Sequence, residues 1–318
     1  MCKKTSKLSV AVLFVMAIAL SFSGCADKDG TSYMLEMEYT ENFKIMQLAD
    51  VQVSTVKECD DAFAEIEKLV AREKPNLIVS TGDNIYIPKG KKILEAFISH
   101  MESLETPWAT VFGNHDQAWI SKNFMAKRFM KAEHCLFLKG ESNIHGVGNY
   151  VINLKSANNI VYSLFMIDSN MYAAGGGYTG IRPNQIKWYE RAVNKLTELN
   201  NNQVVPSLAF FHIPLHEFAD AKASLDAGES TGFAIFNEEV GAAKKNTGFF
   251  NKALELNSTK AIICGHDHKN NCDINYKGIH LVYGLKSSRC DYHDSALLGA
   301  TMITLTSAGF VVENACFE

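Results

Sequence analysis

Five short apolar runs punctuate this chain, and each ends in a small polar cluster. Residues 43–48 lead into Asp50, Val51 and Gln52, and residues 77–79 into Gly82, Asp83 and Asn84. Residues 108–112 lead into Gly113, Asn114, His115 and Asp116, residues 208–211 into His212, and residues 261–264 into Gly265, His266, Asp267 and His268. Continuous apolar runs this short, bounded by turn residues, predict buried parallel strands. Between them the period lengthens. Residues 60–73 place Phe63, Ile66, Leu69 and Val70 on one helical face, and Lys74-Pro75 stops the helix. With its flanking strands it predicts a right-handed βαβ unit. Residues 91–104, 121–132 and 246–256 predict further helices, and 183–199 one with proline near its start. Residues 149–154 and 160–167 predict adjacent strands, the second ending at Asp168. From Cys272 onward the pattern is all-β, with strands at 279–283, 298–305 and 309–312. Residues 170–182, containing Gly175-Gly176-Gly177, and 213–245 carry no readable element and predict loops.

The amino terminus is a separate unit. Lys3, Lys4 and Lys7 precede an apolar stretch, residues 10–20, too short for a stable membrane span. Phe22-Ser23-Gly24-Cys25 is similar to a bacterial lipobox. Residues 1–24 are therefore expected to be a lipoprotein signal peptide, with Cys25 carrying the lipid and residues 25–40 forming a polar tether. Ala26 after the cysteine favours the outer membrane, by resemblance to lipoprotein sorting signals. An ordinary secretory signal cut nearby is the alternative. Residues 41–318 remain as one large domain. Losing three lysines and no acid takes the formal charge from −4 to −7, a poor balance for nucleic-acid binding. Of eight cysteines, six stay in the body of the protein. No C-x-x-C spacing suggests a structural zinc, an envelope location permits disulfides, and Cys264 within an apolar run is expected as a buried thiol.

In open α/β sheets, sites gather beyond the carboxyl ends of the strands. The scattered Asp, Asn and His residues are thus expected at one edge. Such mixed oxygen and nitrogen donors suit two borderline metals, and paired metals suit phosphoryl chemistry.

The ordered set resembles the calcineurin-like metallophosphoesterase superfamily, including its purple acid phosphatase branch. That pattern runs D-x-H or D-x-G, then G-D-x-x-Y or G-D-N, then G-N-H-[DE], a lone His, and G-H-x-H. The resemblance covers roughly residues 43–270. It implies an α/β fold, a four-layer α/β/β/α sandwich with two mixed sheets, and hydrolysis of small phosphorylated substrates. The cofactors implied are two metal ions, with Fe, Zn and Mn all compatible. Asp83 would bridge the ions, Asp50 and His268 would serve the first, and Asn114, His212 and His266 the second. His115 would protonate the leaving group, with Asp116 fixing its tautomer. A hydroxide held between the metals would attack phosphorus in line, on monoesters first and on diesters or nucleotides as the runner-up. A surface-binding lipoprotein with a degenerate site is the rival.

Gln52 departs from the pattern, since the family carries His or Gly there. It is expected either to ligate weakly or to hold a metal-bound water. Tyr86 completes a G-D-x-x-Y sequence and is either a substitute ligand or a pocket-lining ring. His216, Tyr178 and Arg182 are candidates for substrate contact.

Overall fold

A computed structural model describes residues 31–86, 90–117 and 120–318. The expected signal peptide, residues 1–24, and the expected lipidation site Cys25 lie outside the described residues. Five strands form one sheet in the order β13(Gly309–Cys316), β12(Gly299–Thr306), β2(Phe43–Leu48), β3(Leu77–Ser80), β4(Trp108–Thr110). Its β2, β3 and β4 run parallel, and β12 and β13 add an antiparallel edge. The other sheet has eight strands: β1(Met34–Glu38), β5(Tyr150–Ser156), β6(Asn159–Met166), β7(Ser207–Phe210), β9(Thr259–Cys264), β11(Ile279–Tyr283), β10(Asn270–Tyr276), β8(Thr231–Phe236). Its centre, β6 to β11, is parallel. Both sheets are mixed, as expected.

The helices flank this pair. α1(Val56–Glu73), α2(Gly90–Ser103) and α3(Lys122–Phe129) pack on the five-stranded sheet, in one core with the facing side of the eight-stranded sheet. α4(Pro183–Leu199), α5(Glu217–Asp226) and α6(Phe249–Leu256) join a second core on the far side. The strands show why their sequences do not alternate. Leu208 and Phe210 of β7 enter the first core, while Ala209 and the following Phe211 enter the second. A strand buried on both faces has no polar side to display.

Several boundaries differ from expectation. α1 begins at Val56 because Thr55 caps it and Glu58 closes a capping box, four residues before the apolar period becomes visible. It ends on Lys74 in left-handed backbone, φ 52°, just before Pro75. Residues 246–248 precede α6 as an irregular turn, with Gly248 at φ 87°. Part of the stretch expected as tether, Met34–Glu38, is instead a strand that pairs in parallel with β5 at the sheet edge. The stretch 213–245 is not all loop; it holds α5 and edge strand β8. The six cysteines of the described residues are free thiols, and Cys264 is buried in β9 as expected.

Candidate metal centre

The five polar clusters emerge side by side at the carboxyl ends of β2, β3, β4, β7 and β9. The turns that carry them are tight and strained. Asp50 (φ 53°), Gln52 (φ 49°), Asp83 (φ 49°) and His266 (φ 83°) all occupy left-handed backbone. For non-glycine residues this costs on the order of 1–3 kcal/mol each, a cost that tends to concentrate at functional sites. Two glycines allow the crowding: a Cβ on Gly113 would collide with the Asp83 carboxylate, and one on Gly265 with Asp50.

Four donor atoms converge at the centre. His212 Nε2 stands 3.1 Å from Asp83 Oδ2, 3.0 Å from Asn114 Oδ1 and 3.1 Å from His266 Nδ1. Ligand atoms bonded at about 2.1 Å to one ion stand about 3.0 Å apart in an octahedron and about 3.4 Å in a tetrahedron. The observed edges fit such an ion. The His212 ring is oriented by its other nitrogen, Nδ1, which donates to Thr81 O at 3.0 Å. This carbonyl contact is the usual support of a ligating imidazole.

Asp50 and His268 make the other half. His268 Nδ1 donates to Tyr292 O at 2.8 Å and its ring stacks on Tyr292. That leaves Nε2 facing Asp50 Oδ1 at 3.4 Å. Asp50 Oδ2 accepts from His266 N at 2.8 Å, while the buried Oδ1 has no hydrogen-bond partner among the described residues. A buried carboxylate oxygen left without a donor is costly unless a cation meets it. The donor set and this oxygen fit the metals that the fold family implies.

The charges in the pocket are strongly coupled. Burial alone would raise Asp50 and Asp83, but the neighbouring His212 pulls both below the ordinary carboxylate range. Burial likewise opposes a charged His212, yet Asp83 and Asp50 push it up to about 9. His266 is driven down to about 3 by burial and by the His212 charge. One imidazolium thus sits among carboxylates that would otherwise repel.

Most of the expected ligands meet here; the other expected residues are placed as follows, and the role of Asp116 needs correcting. Asp116 does not orient His115. Its oxygens accept from the backbone amides of Gly113, Asn84 and Ile85 at 2.8, 2.9 and 3.2 Å, so it ties together the turns that carry Asp83 and Asn114. Burial and the Asp83 charge push it up to about 7 despite those bonds. Tyr86 lies on the rim, 43% exposed, its ring edge-on to His115 at 4.6 Å, and is a pocket-lining ring. His216 is structural: its Nε2 donates to Ala243 O at 2.6 Å, and Ala243 bridges to Tyr178. Gln52 is buried, but its Oε1 faces Lys286 Nζ at 3.4 Å. Tyr178 does reach the site, its ring 4.4 Å from that of His266. Arg182 sits at the start of α4, its buried Nε without a partner.

Two participants have no motif. Asn114 Nδ2 donates to the Tyr172 hydroxyl at 3.0 Å, and that hydroxyl lies 3.3 Å from His115 Nε2. The second is Lys286, whose ammonium donates to Asp50 O at 2.7 Å. Tyr172 falls in a loop flagged by its glycines, but neither residue has a local sequence signal.

Fold and site together define a two-sheet α/β protein with a buried residue group that could hold a metal ion. The sequence profile of the calcineurin-like phosphoesterases matches residues 43–270, and the chain belongs to that family. It is 28% identical over 313 residues to an Arabidopsis thaliana protein named "Probable inactive purple acid phosphatase 29", covering 86% of this chain and 79% of the relative. It is 28% identical over 284 residues to the Saccharomyces cerevisiae phosphatase DCR2, covering 80% of this chain and 48% of the yeast protein. A dimetal phosphatase from Danio rerio shares the fold with a TM-score of 0.58 at 13% identity, covering 86% of this chain and 99% of that one.

Proposed function

We propose that this protein is a metal-dependent hydrolase of phosphate monoesters. The convergence of Asp83, Asn114, His212 and His266 on one buried point carries the reading. These four residues would hold one ion. Asp50 and His268, sharing Asp83, would hold another. Fe, Zn and Mn all suit the donors. Ions in such a setting polarise phosphoryl oxygens and lower the pKa of water.

The chain supplies the remaining chemistry. Asn114 offers its amide N–H and His115 its ring nitrogen to the same gap, now bridged by the Tyr172 hydroxyl. A phosphoryl oxygen in that gap would accept from Asn114, and His115 would deliver a proton to the departing alcohol oxygen. Asp83 positions His115 by accepting its backbone N–H at 2.8 Å. Tyr86, Tyr172 and Tyr178 wall the approach and limit water around the reacting group.

A non-catalytic binding protein is the second reading. The word "inactive" in the names of three plant relatives and the Gln52 departure favour it. The residue pattern of positions 1–26 supports an envelope protein held by lipid on Cys25 at the outer membrane, and the negative formal charge favours small phosphorylated molecules over nucleic acid. Metal-loaded protein is expected to hydrolyse p-nitrophenyl phosphate faster than bis(p-nitrophenyl) phosphate. His115→Ala should lower that rate about 10²-fold. Turnover of neither compound would establish the non-catalytic reading, and diester preference would replace the monoester assignment.

A further inference from the structure

The two halves of the pocket are not built alike. Around His212, four donor atoms are free to point at one centre, and those of Asp83, His212 and His266 lie within 4.8 Å of one another. Around Asp50 the supply is thinner. One Asp50 oxygen is already bonded to His266 N, which leaves Oδ1 and, beside it, His268 Nε2 to join the shared Asp83 carboxylate. The third residue on that side is Gln52, whose amide oxygen is a weaker donor than an imidazole. Lys286 stands directly against it, 2% exposed, with its ammonium 3.4 Å from Gln52 Oε1 and 2.7 Å from Asp50 O. The backbone keeps it there. Lys286 bridges to Ala49 in parallel, so its side chain runs along the Asp50–Gln52 turn.

We propose that the Gln52–Lys286 pair makes the two metal positions unequal, with one ion held tightly by Asp83, Asn114, His212 and His266 and the second held weakly at Asp50 and His268. The inference rests on the metallophosphoesterase reading and specifies its cofactor. Two effects add. The ammonium competes with any ion for the Gln52 oxygen. Its positive charge also repels a cation bound to the adjacent Asp50 carboxylate, in a buried setting where screening is poor. The same charge faces the Asp50 and Asp83 carboxylates and supplies part of the neutralisation a second ion would otherwise provide. The weak position would fill and empty with the free metal concentration, while the tight one stays occupied.

Calorimetric titration of the metal-free full chain with Zn²⁺ or Mn²⁺, and metal counting by mass spectrometry after desalting, test this without an activity assay. One ion per chain should survive desalting, and the second should bind about 100-fold more weakly. Lys286→Met and Gln52→His should each strengthen the weaker site about tenfold and leave the tight site unchanged. Histidine suits position 52 because it tolerates the φ of 49° found there. Should Lys286→Met fail to fold, Gln52→His decides. Two ions of equal, tight affinity in the native chain, or a weak site unmoved by Gln52→His, would overturn the inference and leave the phosphoesterase reading standing. A chain that takes up no metal would overturn both.

Discussion

Asp50 and Asp168 are the same motif put to opposite uses. Each is a buried aspartate that follows an apolar strand, Asp50 after β2 and Asp168 after β6. Asp168 is saturated by the protein. Its Oδ1 accepts from Lys122 Nζ at 2.7 Å and Asn170 N at 2.9 Å, and its Oδ2 from Val147 N at 2.8 Å and Lys122 Nζ at 3.0 Å. Asp50 has one oxygen bonded and one left bare. The first arrangement closes on itself and fixes the loops around residues 147 and 170. The second is incomplete without a cation. What separates structure from chemistry here is the number of fixed donors within reach, not the residue or its burial.

The largest test of that contrast removes the cation from the saturated side. Lys122→Met keeps the aliphatic stem but strands a buried carboxylate, at a cost of about 3–5 kcal/mol. Equilibrium denaturation in urea should show the loss as a lower midpoint. Residual folded protein should keep its tight metal, because the ligands of that site do not involve Asp168. On the open side, Asp83→Asn should spare the fold and remove the chemistry. It takes away the carboxylate that both ions would share, so monoester hydrolysis should fall about 10³-fold. A variant that kept most of its activity would mean that the catalytic centre lies elsewhere.

The open side should also respond to protons. In the metal-free protein His212 holds a proton up to about 9, because Asp83 and Asp50 outweigh the opposing effect of burial. A metal must displace that proton from Nε2. Asp50 and Asp83, both held below the ordinary range, remain ionised throughout. Apparent affinity for the tight ion should therefore fall about tenfold for each pH unit below about 9 and level off above it. Calorimetry in buffers of different ionisation enthalpy should detect one proton released per tight ion at pH 7. Affinity independent of pH from 6 to 9 would show that His212 is not a ligand.

The strand-end clusters were legible because each follows an apolar run that can only be a buried strand. That pattern located Asp50, Asp83, Asn114, His212, His266 and His268 without any contact information, and it located α4 to the residue. Other features left no such trace. Helix α5 carries few apolar residues, Phe218, Ala221 and Leu225 among them, too sparse for a clear period. Strand β8 lies at a sheet edge with most of its residues exposed. Asp116 follows His115 in sequence, and adjacency suggested a partnership, yet the turn aims its carboxylate at backbone amides. Lys286 is 236 positions from Asp50, and a contact across that span is a property of sheet order alone.

Tyr172 tests the finest distinction. Its hydroxyl accepts from Asn114 and touches His115, the two groups proposed to handle the transferred phosphoryl and its leaving oxygen. The ring is 44% exposed, so water can take the place of a lost hydroxyl beside His115 and the buried Asn114, and neither is stranded as Asp168 would be. Tyr172→Phe should consequently leave stability almost unchanged. If the hydroxyl keeps Asn114 and His115 aligned, kcat should fall about fivefold, the equivalent of one ordinary hydrogen bond of about 1 kcal/mol, with KM nearly constant. If it instead occupies the place of a substrate oxygen, removing it should lower KM and leave kcat unaltered. The tyrosine hydroxyl lies between Asn114 Nδ2 and His115 Nε2, within reach of both, so alignment is the expected outcome, and a fall in KM alone would recast Tyr172 as a stand-in for the substrate.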